Sequence, residues 1–139
     1  MSYLLDTNVI SELRKGQRCH PRVAAWMASV PDHALYLSVL VIGGIRRGIE
    51  RIRQRDVQAA TVLETWLIQV MTQHQDRILT VTREVAETWG RMNAIRSYST
   101  VDSLLAATAQ VHGLTLVTRN VTDIAGTGVA YINPFESAL

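Results

Sequence analysis

Short apolar runs alternate with helix-length amphipathic stretches along this chain, and that alternation restricts its fold more than any other feature. "SYLLDTN" gives a buried strand over Tyr3 to Leu5, and a helix follows through "TNVISELRKG" to Gly16. Pro21 opens a second helix, "PRVAAWMASV", which Pro31 closes. "ALYLS", "RILTV" and "LTLVTRN" read as three further strands, and "GVAYINPF" offers a last short one. Helices separate them: one after Ser38, a long one from Asp56 to about Gln75, "REVAETWGRMNAIRS", and the capped run "STVDSLLAATAQVHG". Such an order implies an α/β fold with a mostly parallel central sheet of four or five short strands and helices on both faces.

The length fits one domain: 139 residues, 47% of them hydrophobic, can bury one core but not two ordinary ones. The longest apolar stretch, around residues 34 to 45, is interrupted by Ser38, Gly43 and Gly44 and falls short of the roughly 18 residues of a membrane helix. Asp6 also breaks the apolar run that a signal peptide would need. Cys19 is the single cysteine, so neither an internal disulfide nor a cysteine zinc cage is available, and a cytoplasmic chain with no membrane partner is the expectation. Net charge is only +2, but thirteen of the fourteen basic residues are arginine. Arginine suits bidentate contact with phosphate or carboxylate, so the skew favours a nucleic acid or an acidic partner.

Parallel α/β sheets place their sites beyond the carboxyl ends of the strands. Asp6 follows the first strand directly, and Asn120 and Asp123 follow the fourth in "VTRNVTD". Asp102 lies in the first turn of the helix that begins at Ser99 or Thr100, where the helix dipole should keep it ionised. Singly, each has a structural explanation as a cap or turn residue. Together at one sheet edge they form a group of carboxylates that repel unless a cation sits among them, and oxygen ligands suit a hard divalent ion.

"LSVLVIGGIRRGIE", residues 37 to 50, raises a separate question. Ser38 caps a helix whose apolar residues fit one face, yet Gly43 and Gly44 stand side by side in its second turn. Each costs about 1 kcal/mol relative to alanine.

At these residues the chain resembles the PIN-domain ribonucleases of the VapC and FitB type, toxins of bacterial toxin–antitoxin pairs. The resemblance lies in "LLDTNVISEL", the middle run just quoted, "VDSLLAATAQVHGLTLVTRNVTDI" and the closing "NPF", in order and nearly end to end. It implies one PIN-like domain over residues 1–139 and an endoribonuclease that depends on Mg2+, with Mn2+ the other possibility. Asp6, Asp102 and Asp123 would then be catalytic and metal-ligating, with Asn120 competing with Asp123 for the last place. The second acid of such proteins is a glutamate in a run like "GEIRRG"; here the run reads "GGIRRG", so Gly44 occupies the position of the missing glutamate. One base change turns a glutamate codon into a glycine codon, and the other acids are in place, which points to a recent or deliberate loss that leaves the chain impaired. A non-catalytic PIN domain, acting with its antitoxin as a co-repressor on operator DNA, is the alternative.

The remaining expectations follow from position. Thr7, Asn8 and Thr118 flank the acids and would orient them or a metal-bound water. Arg46, Arg47 and Arg119 are the candidates for RNA phosphate contacts. His20, His33, His74 and His112 lie away from the three motifs, so acid–base work by histidine is not expected. The resemblance further implies a VapB- or FitA-like antitoxin, contact with operator DNA only through it, and a homodimer. Trp26 and Trp66 are better placed for core packing than for an interface. Two rival classes lack their marks: an aspartyl-phosphate enzyme wants a second Asp where Asn8 stands, and a dinucleotide-binding domain wants a glycine-rich turn after the first strand.

Overall fold

A computed structural model describes residues 1–136. The strands are β1 (Tyr3–Leu5), β2 (Leu35–Ser38), β3 (Ile78–Leu79), β4 (Thr115–Val117) and β5 (Tyr131–Ile132). The helices are α1 (Thr7–Leu13), α2 (Pro21–Ala28), α3 (Val39–Arg53), α4 (Val57–Gln73), α5 (Arg83–Ile95), α6 (Thr100–His112) and α7 (Val121–Ile124). All four strand pairings are parallel, in the order β3-β2-β1-β4-β5. Tyr3 stands opposite both Leu35 and Thr115, and Val117 opposite both Leu5 and Ile132.

Strand order dictates the layers. From β1 the chain adds β2 and β3 in one direction, then returns to add β4 and β5 in the other. Right-handed crossovers therefore carry α1–α4 over one face and α5–α7 over the opposite face. The packing agrees, since α1 lies on α2 and α3, while α6 lies on α5 and α7. The order reverses between β1 and β4, which opens a crevice beyond their carboxyl ends.

Leu4, Val9, Leu105, Leu116 and Val117 form the centre of the core, and Ala106 and Ala109 let α6 approach the sheet closely. Trp89 Nε1 donates to the buried Ser103 Oγ at 2.9 Å and fastens α5 to α6. A smaller cluster around Ile49, Ala60 and Leu67 joins α3 to α4. Trp26 stacks edge-on against Tyr3 at 5.0 Å and Trp66 packs against both clusters, as core residues would.

Several elements are shorter than their sequence patterns. α1 stops at Leu13, because Glu12 accepts from Lys15 Nζ at 3.0 Å and His20 N at 2.9 Å, and Gly16 at φ 59° turns the chain into a 3-10 turn. "RILTV" contributes only Ile78 and Leu79 to the sheet, since Thr82 already caps α5 through Val85 N. "VTRNVTD" is more than a turn, because Val121–Ile124 closes a single helical turn.

Candidate active site

Asp6 is where β1 ends and α1 begins. Its N–H donates to Val117 O at 2.9 Å, continuing the ladder to β4, and its extended backbone (φ −78°, ψ 162°) makes it the N-cap of α1. The carboxylate is 6% exposed and accepts from Thr7 N at 2.6 Å through Oδ1 and from Thr118 Oγ1 at 2.8 Å through Oδ2. Thr118 ends β4 and is itself buried; its hydroxyl also accepts from Asn120 N at 2.9 Å. Asn8 Oδ1 accepts from Arg119 N at 3.1 Å, while its amide reaches Asp6 Oδ2 and Thr118 Oγ1 only at 3.5 Å. Thr7, Asn8 and Thr118 thus stitch the two strand ends together and hold Asp6 in one orientation.

Burial pushes the Asp6 carboxyl above its ordinary range, against the hydrogen bonds from Thr118, Thr7 and Asn8, which favour the charged form. Asp102 is half-buried in the first turn of α6. Its carboxyl is also raised, chiefly by burial and then by the negative charge of Asp6 and of Asp123, with a Ser99 hydrogen bond opposing. The helix N-terminus acts in the opposite direction, towards the charged form. Asp6 caps α1, Asp102 lies in α6 and Asp123 in α7.

Asp123 and Asn120 are exposed, and the Asn120 side chain makes no capping bond to α7. Among the described residues, no three His, Cys, Asp or Glu side chains converge tightly enough to hold one cation. Gly44 bears on this gap. A Cβ built on it would lie 4.0 Å from Thr7 Oγ1 and meet nothing closer, so a side chain at this position faces the first turn of α1, beside Asp6.

The arginines separate into two kinds. Arg46 is engaged by Glu64 at 2.6 Å and Glu50 at 3.0 Å, in a network that Arg53 completes. Arg47 is exposed and makes no ion pair among the described residues. The Arg119 guanidinium lies 4.3 Å above the Phe135 ring, and Phe135 meets the His20 ring edge-on at 5.5 Å. "NPF" therefore acts as the support of Arg119, and His20 belongs to that support.

Ser11 and Arg14 were not singled out in the sequence. They line a groove of about 270 Å3 between α1, α3 and α4, whose remaining lining includes Gly44, Ile45, Ile52, Leu63 and Trp66. Thr7, Ser11 and Arg14 fall at i, i+4 and i+7, the spacing that puts them on one helix face. That period was the available signal.

A parallel sheet with Asp6 at its strand-order reversal is an α/β architecture whose site lies beyond its strand ends. Residues 3–122 match the PIN domain family. The chain is 33% identical to the toxin FitB of Neisseria gonorrhoeae, over 96% of this chain and 98% of that protein. It is 29% identical to the VapC ribonuclease Y4jK of Sinorhizobium fredii, over 97% and 99% of the two. The structure of FitAB bound to an IR36 DNA fragment superposes with a TM-score of 0.89 at 29% identity, over 99% of this chain and 98% of that one. The chain belongs to the PIN domain family, in its VapC/FitB branch.

Proposed function

We propose that this protein is the toxin of a toxin–antitoxin pair and an endoribonuclease that hydrolyses RNA phosphodiester bonds with Mg2+, or alternatively Mn2+, in a form impaired by Gly44. The observations that carry the reading are the PIN domain match over residues 3–122 and the placement of Asp6, held by Thr118, at the strand-order reversal. Carboxylate oxygens suit a hard divalent cation, and Asp6, Asp102 and Asp123 are the residues that would hold it. When bound, the ion would supply an activated water and a counter-charge for the scissile phosphate. Thr118, Thr7 and Asn8 orient the Asp6 carboxylate, and the exposed Asn120 is the alternative to Asp123 for the last place. Arg47 and the Phe135-supported Arg119 offer the cationic surface for the RNA backbone.

The relatives support the partners. One is named a ribonuclease, and FitAB has been solved on DNA. By that likeness this chain pairs with a FitA- or VapB-like antitoxin, meets operator DNA only through it, and forms a homodimer in the cytoplasm. No helix among the described residues is long and apolar enough to cross a membrane.

The test is RNA cleavage with Mg2+ or Mn2+ by this chain and by Gly44→Glu, with a chelator as control. The expected result is cleavage rising by orders of magnitude in Gly44→Glu and vanishing with chelator. Equal cleavage in the two proteins would remove position 44 from the mechanism. Gly44 also favours the second reading, a non-catalytic co-repressor that stabilises its antitoxin on DNA. Expression in a host separates the two, since restoring glutamate makes a damaged enzyme toxic and leaves a co-repressor harmless.

A further inference from the structure

α5 ends at Ile95, and Arg96 leaves it in extended backbone (φ −154°, ψ 140°). Residues two apart in an extended chain share a side, and the Arg96 guanidinium lies 5.1 Å from the centre of the Tyr98 ring. Tyr98 is anchored: its N–H donates to Asn93 Oδ1 at 3.0 Å, and Asn93 Nδ2 donates to Trp89 O at 3.0 Å and to the buried Ser103 Oγ at 3.3 Å. The pair rests on Gly126, where a Cβ would come within 2.8 Å of the Tyr98 hydroxyl oxygen and 3.0 Å of Arg96 Nη1. Gly126 has no positive φ, so the two side chains above it, and not its backbone, favour glycine there. Arg96 is exposed and makes no ion pair among the described residues. The fold thus holds a guanidinium in place without using its charge.

Its position relative to α7 points to a use. Gly126, under Arg96, lies two residues beyond the last residue of α7, and Arg119 lies two residues before the first. α7 itself is about 6 Å long at 1.5 Å per residue. Each arginine is backed by a ring, Arg119 by Phe135 and Arg96 by Tyr98. We propose that Arg96, carried on Tyr98, is an RNA phosphate contact, and that one RNA strand spans α7 with its backbone held by Arg119 at one end and Arg96 at the other. The inference rests on the reading that this chain acts on RNA. Two cationic points either side of one helical turn suit a polyanionic strand, and a guanidinium stacked on a ring keeps its N–H edge free for phosphate while losing less freedom on binding. The exposed Asp123 lies on α7 between the two contacts, and Ser99, next to Tyr98, is hydrogen-bonded to Asp102. A strand so held runs beside the acids.

The experiment is fluorescence-anisotropy titration of a labelled uridine homo-oligomer with the full chain, in chelator so that neither metal nor cleavage enters, at several salt concentrations. Arg96→Ala is expected to weaken binding about fivefold and to flatten the log K against log salt slope by about 0.7, the value for one phosphate on a single strand. Gly126→Ala keeps every charge and displaces only the ends of two side chains, so it should fold, which thermal melts verify, and bind about threefold more weakly. Arg51→Ala removes an exposed arginine from the last turn of α3 and should change neither quantity. Equal losses in Arg96→Ala and Arg51→Ala would reduce the effect to net charge and overturn the contact, and full affinity in Gly126→Ala would overturn the role of the Tyr98 support. Undiminished binding by Arg96→Ala, with cleavage by Gly44→Glu in Mg2+, would overturn the contact and leave the nuclease reading in place. Binding that depends on Arg96, with no cleavage by Gly44→Glu, would support the contact and remove the nuclease. No RNA binding by the parent chain would overturn the contact outright.

Discussion

Thr118 Oγ1 donates a 2.8 Å hydrogen bond to Asp6 Oδ2 across 112 residues of sequence, at the point where the strand order reverses. The hydroxyl makes a second bond, accepting from Asn120 N at 2.9 Å, so one buried side chain ties the first acid to the loop that carries the last.

Thr118→Val preserves shape and deletes both bonds. It leaves Asp6 with one fewer donor and Asn120 N–H without its acceptor, and should cost about 1–3 kcal/mol in urea unfolding. Thr118→Ser should recover most of the loss. If valine unfolds at the parent's midpoint, the hydroxyl is not what holds the strand ends together.

Asp6 gives the pH dependence its sign. Its folded pKa lies above its unfolded value, so the native state binds its proton more readily. The fold is therefore most favoured below the ordinary aspartate range. That advantage is lost as pH rises through the folded pKa, after which it stays constant. Glu12, lowered by hydrogen bonds from His20 N and Lys15, has the opposite sign and loses stability as pH falls. Subtracting Asp6→Asn melts from parent melts isolates Asp6. The variant should melt a few degrees higher at pH 7, with the difference closing towards pH 3. A variant that is less stable at pH 7 would show that the hydrogen bonds, not burial, dominate at Asp6.

These two residues also show how far sequence pattern reaches. Asp6 and Asn120 could be placed because a polar residue soon after an apolar strand lies at the sheet's carboxyl edge whatever the details of packing, and Asp123 follows Asn120 by three residues. Strand–helix alternation likewise implied parallel pairing. The bond from Thr118 to Asp6 was not legible, since it depends on β1 and β4 being neighbours, and strand order is set by three-dimensional crossovers. The engagement of Arg46 was hidden for the same reason: Glu50 lies one turn away on its own helix, but Glu64 arrives on α4. Asp102 lies in the first turn of its helix as the sequence pattern places it, whereas the burial and the charges of Asp6 and Asp123 that raise its carboxyl depend on the tertiary fold.

The two kinds of arginine should separate in RNA binding. Arg119→Ala and Arg47→Ala should each weaken binding and each flatten the log K against log salt slope by about 0.7, the value for one phosphate on a single strand. Phe135→Leu should reproduce part of the Arg119 effect by removing the ring beneath its guanidinium. Arg46→Ala should leave the slope unchanged, because its charge is already spent on Glu50 and Glu64. A slope lowered by Arg46→Ala would show that the ion pairs open on the RNA.

The adjacent glycines of α3 offer a comparison in which only direction differs. Both are helical, exposed and free of positive φ, so neither backbone requires glycine. At Gly43 nothing stands within 4 Å of an added Cβ, and Gly43→Ala should stabilise the protein by about 0.8–1 kcal/mol in urea unfolding, whether or not Mg2+ is present. Gly44→Glu should gain about 0.5 kcal/mol from helix propensity, but its carboxylate joins Asp6 and Asp102, and that repulsion cancels part or all of the gain in metal-free buffer. Saturating Mg2+ should restore the gain and add the binding free energy of a more complete ligand set. The Mg2+ response must then be larger for Gly44→Glu than for Gly43→Ala or the parent. If all three respond alike, a side chain at position 44 does not reach the acids, and glycine there is no more than a weak point in the helix.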